Sequence, residues 1–173
     1  EIQLPESLKK IASTAFDYCD GLTEVTIPAS VEVAQGFRYC KGLQVVNISS
    51  KVIGQYAFAY CPAFTPVTLP NALEIIDHYA FYYCTGLASI TIPSSVTTIG
   101  NYAFTFCKNL ISVTVESDSV MSKTYDVNYN FASIFGEQLE ECIIGDNVTA
   151  IGDYALYNVD SLEHVTIGNN VKH

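Results

Sequence analysis

The pattern Ala-Phe-x-x-Cys-x-x-Leu recurs along this chain, and self-similarity at a nearly fixed period restricts the fold more than any other feature. It reads AFDYCDGL at 15–22, AFAYCPAF at 57–64, AFYYCTGL at 80–87 and AFTFCKNL at 103–110. A weaker copy, GFRYCKGL, lies at 36–43, and a degenerate one, ALYNVDSL, at 155–162. Phe16, Phe37, Phe58, Phe81 and Phe104 stand 21, 21, 23 and 23 residues apart, and Leu156 follows Phe104 by 52, two periods of 23 plus six.

Each copy leads into a short alternating run: LTEVTIP at 22–28, LASITIP at 87–93, LISVTV at 110–115. Val, Ile and Thr at period two predict a strand with Val25 and Ile27 inward and Glu24 and Thr26 outward. A second run, SVTTIGNYAF at 95–104, follows, with Gly100 suited to a tight bend. Ala103, Phe104 and Cys107 fall at helical spacing and predict one short helical turn. A single repeat cannot bury both its strand and its turn, whereas stacked repeats can. The expected fold is therefore an α/β repeat solenoid of about seven coils. With these motifs it resembles a leucine-rich-repeat right-handed superhelix, which implies a parallel β-sheet on the concave face and short strands or helical turns outside.

The second and third coils are each two residues short, between Pro28 and Phe37 and between Ser49 and Phe58. Residues 116–138, ESDSVMSKTYDVNYNFASIFGEQ, replace the usual turn with a polar segment. They predict one atypical coil with a protruding loop, whose Phe131, Ile134 and Phe135 enter the core. The expected organisation is a single domain over 1–173. Residues 1–115 are regular repeats, 116–138 the atypical coil and 139–173 the last repeats. The chain opens in mid-repeat, so we read it as a piece of a longer protein.

Apolar residues make up 49% and charged residues 15%, a composition for an ordered core. No apolar run is long enough to span a bilayer. Eight basic against 18 acidic residues give a net charge of −10, which disfavours nucleic acid and anionic membranes as partners. Cys19, Cys40, Cys61, Cys84 and Cys107 occupy one point of the repeat and read as small buried hydrophobes rather than a disulfide framework. Without a CxxC pair or a histidine partner they do not suggest a metal site.

Catalytic signatures are missing from the sequence. His78 reads as a solvated turn residue, His164 as an outward strand position and His173 as the last residue. No Ser/His/Asp arrangement, HExxH or phosphate-cradling glycine loop occurs. Glu140 and Glu141 are adjacent in a strand and point apart. The expectation is a non-enzymatic chain with no cofactor and no metal.

Binding is the alternative to chemistry, and the outward strand positions form two candidate ladders. The first is Glu24, Val45, Pro66, Ser89, Ser112, Glu141 and His164; the second is Thr26, Asn47, Thr68, Thr91, Thr114, Ile143 and Thr166. Thr also suits any solvated strand, so Val45, Pro66 and Ile143 are the members most open to a partner. Tyrosines form further rows. Tyr56, Tyr79, Tyr102 and Tyr154 precede Ala-Phe or Ala-Leu, while Tyr18, Tyr39, Tyr60, Tyr83 and Phe106 directly precede Cys. Exposed aromatic rows can stack on sugars or anchor a protein. Equally, such rings can cover the edge of the core with only the hydroxyl wet.

The composite pattern LxxVxIPxxVxxIGxxAFxxCxxL resembles the BspA-like, or Treponema-type, leucine-rich repeat over nearly the whole chain, and SSVTTIGNYAF and DNVTAIGDYAL match it closely. Leu156 for Phe, Val159 for Cys, and Gly145 and Gly168 for Pro are local departures. The resemblance implies a bacterial cell-surface or secreted protein, an extracellular location and adhesion to a host or microbial extracellular protein. It carries no catalytic motif. The rival expectations are a structural spacer that displays another domain, and carbohydrate binding through the tyrosine rows.

Overall fold

The computed structural model describes residues 2–64 and 67–173. In chain order its first strands are β1 (Ile2–Gln3), β2 (Glu24–Ile27), β3 (Val33–Ala34), β4 (Val45–Ile48), β5 (Val52–Ile53) and β6 (Ile75–Ile76). Then come β7 (Ser89–Ile92), β8 (Thr98–Ile99) and β9 (Ser112–Val115). Helices α1 (Asp118–Met121) and α2 (Phe131–Phe135) and strands β10 (Glu141–Ile144) and β11 (His164–Ile167) complete the chain. All strand pairing is parallel, and the result is a parallel-sheet solenoid of about seven turns.

One face carries the four-residue strands, with two-residue β1 at one end, in two sheets, β1-β2-β4 and β7-β9-β10-β11. A third sheet, of two-residue strands, β3-β5-β6-β8, runs along another side. Alternation sets the register: Val25 pairs with Val46 and Ile27 with Ile48, all buried, while Thr26 and Asn47 face out. A shift by one residue would expose every inward side chain, so burial fixes the pairing. Between β4 and β7 the third copy is FTPVTLP, and its residues 67–70 form no strand.

The core is a continuous column of phenylalanines. Phe16, Phe37, Phe58, Phe81, Phe104 and Phe135 stack in turn, with ring centroids 5.0, 5.7, 5.5, 5.2 and 5.4 Å apart. This spacing follows the roughly 4.8 Å step between parallel strands. Phe131, Ile134 and Phe135 of the atypical coil are fully buried, as the sequence predicts, so the column passes through that coil.

The Ala-Phe-x-x-Cys segment departs from expectation in the regular coils, where it is a chain of turns rather than a helical turn. The tyrosines before Ala-Phe and before Cys have left-handed backbones, with φ of 55° to 62° at Tyr18, Tyr39, Tyr56, Tyr60, Tyr79, Tyr83 and Tyr102. Two such residues four apart interrupt a right-handed turn before it can propagate. A left-handed non-glycine residue costs about 1–2 kcal/mol. Hydrogen bonds between coils offset this cost. Phe58 and Tyr60 donate their N–H groups to Ala80 O (2.8 Å) and Tyr82 O (2.7 Å) of the next coil. Alternating with them, the Ala57 and Ala59 N–H groups close turns onto Gly54 O and Tyr56 O.

Gly100 also serves another purpose than a bend. Its φ is not positive, but a Cβ there would overlap the backbone nitrogen of His78 in the preceding coil. Close coil-to-coil approach requires the missing side chain.

In the atypical coil, Ser117 caps α1 by accepting from Val120 N (3.1 Å), and Asn130 caps α2 through a reciprocal pair with Ser133. Asp118 accepts from both the N–H (2.7 Å) and the hydroxyl (2.8 Å) of Thr149, joining this coil to the next. Asp126, Val127 and Asn128 stand exposed as the expected loop.

Candidate functional site

The sheet face is built by pairing. Glu24 lies opposite Val45 and Thr26 opposite Asn47. In the second sheet Ser89, Ser112, Glu141 and His164 form one line, and Thr91, Thr114, Ile143 and Thr166 the other. Thr68 is exposed beside the break, and Pro66 lies outside the described residues. Within these lines the Asn47 amide donates to Thr26 Oγ1 (3.3 Å) and the Ser112 hydroxyl to Glu141 Oε2 (2.6 Å). The exposed apolar member is Val45 at 46%, while Ile143 is only half-buried.

The break in the sheet creates relief on this face. A cleft of about 320 Å³ lies between Val45, Asn47, Thr68 and Pro70. A second, of about 470 Å³, lies between Thr68, Asn71, Ser89, Thr91 and the Glu116–Asn147 pair. Both share Thr68. Asn147 donates to Glu116 Oε2 (2.8 Å), so one wall is a fixed polar edge.

The turn side carries the aromatic rows. Tyr18, Tyr39, Tyr60, Tyr83 and Phe106 follow one another with ring centroids 4.5, 4.5, 5.2 and 5.2 Å apart. Tyr56, Tyr79 and Tyr102 form the other row at 4.7 and 5.2 Å. Tyr82 bridges the two, edge-on to Tyr60 and Tyr79. Arg38 is held by Asp17 (2.9 Å) and lies over Tyr39 and Tyr56, 5.5 and 6.0 Å from their centroids. The rings are more than an edge cover, because Tyr18, Tyr83, Tyr102 and Phe106 are exposed by 64%, 44%, 39% and 51%. Burial against the row, then the neighbouring Tyr39, raises the Tyr60 phenol pKa.

The cysteines have a role beyond filling space. The Cys40, Cys61, Cys84 and Cys107 thiols donate to the carbonyls of Phe16, Phe37, Phe58 and Phe81, one coil back, at 3.0–3.2 Å. Burial pushes Cys40 up to about 11 and Cys142 up to about 12. Cys40 and Cys142 are therefore protonated at neutral pH and poor nucleophiles. The recurrence of Cys at one repeat point was the sequence signal, but it did not disclose the bond.

A parallel solenoid with an open sheet face and an aromatic turn face defines a repeat protein whose surfaces are built for interaction. This chain belongs to the BspA type leucine-rich repeat family: six copies of that repeat region match residues 1–53 and 51–173. A leucine-rich repeat protein from Bacteroides ovatus is 30% identical, with a TM-score of 0.67 over 95% of this chain and 42% of its own. The T. pallidum leucine-rich repeat protein is 21% identical, with a TM-score of 0.59 over 94% of this chain and 64% of its own. A leucine-rich repeat protein from Eubacterium ventriosum, also 21% identical, aligns with a TM-score of 0.53 over 87% of this chain and 34% of its own. The chain thus spans less than two thirds of each of these structures. No curated protein matches it.

Proposed function

We propose that this repeat region is a non-enzymatic recognition module that holds a host or microbial extracellular protein on its sheet face, as part of a bacterial cell-surface or secreted protein. The observation that carries the reading is the pair of adjoining clefts at the sheet break, with Val45 exposed at their edge. A flat ladder of Thr and Ser offers a partner little to grip, because binding energy concentrates where a side chain enters a pocket. The break supplies such pockets beside Thr68 and Thr91. No helix among the described residues is long and apolar enough to cross a membrane. Family membership supports the surface location.

The test is a binding panel of immobilised extracellular-matrix proteins and mucin. A variant carrying Val45→Lys, Thr68→Lys and Thr91→Lys is run beside the parent chain. Saturable binding to one of these proteins, weakened at least about 10-fold in a variant of unchanged circular dichroism, supports the reading. Binding that survives in the variant moves the site off this face. The absence of binding by the folded chain favours a spacer.

A further inference from the structure

The two aromatic rows stop at the same coil, and the reason is in the register. Phe135 stacks on Phe104, so Ser133 and Glu137 of the atypical coil stand where the rows would place their next rings. Thr105 Oγ1 and Tyr102 N both donate to Ser133 O, which fixes this coil against the last full rung. In the following coil the row that ended at Phe106 resumes at Asn158, which shares the left-handed backbone, with φ of 57°. One ring is therefore missing between Phe106 and Asn158. The gap is a cleft of about 530 Å³, lined by Tyr102, Phe106, Glu137, Gln138 and Asn158, with Gly136 among its walls. A missing rung in a stack of roughly 4.8 Å steps leaves a slot one ring thick.

Tyr79 covers one side of Tyr102, and Tyr83 and Tyr82 cover Phe106, yet both rings remain 39% and 51% exposed where they line the slot. Around these apolar faces stand polar groups with capacity to spare. Gln138 is anchored by its amide, which donates to Cys107 O (3.3 Å), Leu110 O (3.3 Å) and Phe135 O (2.8 Å), and its Oε1 accepts no hydrogen bond among the described residues. Neither the Asn158 amide nor the Glu137 carboxylate has a partner among the described residues. The aromatic residues are held in place against backbone preference. Left-handed positions are cheap for Asn, as at Asn158, and costly for Tyr and Phe.

We propose that this slot is a second binding site, independent of the sheet-face reading, and that it takes one pyranose residue of a neutral saccharide. The C–H face of the sugar ring would stack on Phe106 and Tyr102. Its hydroxyls would donate to Glu137 and Gln138 Oε1 and pair with Asn158. The chemistry selects this class. An anion would meet Glu137 and the acidic surface of a chain with net charge −10. A flat aromatic ligand would bury the same polar rim without partners. A sugar offers an apolar face and a ring of donors together, and the slot offers the complement of both.

The experiment is ligand-observed NMR with maltohexaose, cellohexaose and chitohexaose, followed by titration of any hexasaccharide that binds. Phe106→Ala should weaken binding about 10-fold through loss of the stacking face. Asn158→Tyr, which continues the row and fills the slot without opening the core, should abolish it. Tyr18→Ala, at the far end of the same row, should leave it unchanged. Because Phe106 and Asn158 are both exposed, the far-ultraviolet circular dichroism of the variants should overlay the parent at the assay temperature, while the melt of Phe106→Ala falls through the pairs lost to Tyr82 and Tyr83. No transfer to any hexasaccharide at millimolar concentration overturns the proposal, as does binding that Asn158→Tyr leaves intact. Competition by a protein ligand of the sheet face would also overturn the independence of the two sites.

Discussion

If the tyrosines of the turn side occupy left-handed positions for the sake of their rings, then Ala and Gly should exchange rank between two neighbouring tyrosines. Tyr60 has φ of 60°, and its ring lies 4.5 Å from Tyr39, 5.2 Å from Tyr83 and 5.5 Å from Tyr82. Tyr82 has no positive φ, yet it makes comparable edge contacts to Tyr60, Tyr79 and Phe106 at 5.3–5.5 Å. Replacing Tyr60 by Ala removes three aromatic pairs and replacing Tyr82 removes four, worth ~0.5–1.5 kcal/mol each, so a loss of ~2–6 kcal/mol is expected at either site. At Tyr60, Gly should then be more stable than Ala by about 1 kcal/mol, because it occupies the left-handed region freely. At Tyr82 the order should invert, with Ala better than Gly by ~0.4–1 kcal/mol through the entropy of the unfolded chain. Urea unfolding of the four variants, followed by far-ultraviolet circular dichroism, measures the two differences. The same rank at both positions would refute the argument, since ring loss is common to each pair and only backbone conformation separates them.

Three further outcomes follow from the core and the junctions. Phe81→Ala should cost about 3–5 kcal/mol, because Phe81 is fully buried between Phe58 and Phe104; half-buried Phe16, stacked only on Phe37, should cost clearly less, and equal urea midpoints would contradict the column. Iodoacetamide at pH 8 should modify half-buried Cys19 first and leave the five buried thiols until urea is added, which intact-mass spectrometry reads as one adduct rising to six. Hydrogen bonds from the Thr149 backbone and hydroxyl lower the Asp118 pKa, so its stabilisation is present above the unfolded carboxylate value and lost as pH falls through the folded one. The melting-temperature gap between the parent and Asp118→Asn should therefore be widest near neutrality and close below about pH 4. A gap that widens in acid would reverse the assignment.

The solenoid was legible because its signal is repetition. Alternating Val25 and Ile27, recurring Phe and the inserted Phe135 each announce burial, and burial is what stacking satisfies. The turn side was misread for a physical reason. Ala103, Phe104 and Cys107 have the spacing of a helix, but spacing does not report the sign of φ at Tyr102 and Phe106, which are positive. Propensity would place Gly or Asn there, and aromatic residues in those places win through contacts that only the assembled coils supply. The thiol-to-carbonyl bonds of Cys61 and Cys84 are hidden in the same way, since the acceptor lies one coil back. The third copy, FTPVTLP, reads as a weaker strand with Pro66 in its outward ladder, whereas among the described residues 67–70 form no strand. Nothing in the local sequence of 131–137 showed that Glu137 would stand in line with Phe106.

Regularity itself explains where the candidate sites fall. In a uniform coil every ring has a ring on either side, and every strand has a strand. Such a surface has no unsatisfied face except at its ends. A ligand can compete for contacts only where the series misses a member. Here the series misses two among the described residues: strand pairing at 67–70, between β4 and β7, and an aromatic rung in the atypical coil, between Phe106 and Asn158. Each gap keeps the spacing of the series around it, so its width is set by neighbours that are themselves rigid. That is preorganisation at low cost, since the walls are already paid for by the core and need no ordering when a ligand arrives. By this reasoning, filling a gap should remove binding without unfolding the chain, and Asn158→Tyr separates recognition from folding in a way that truncations in the regular coils cannot.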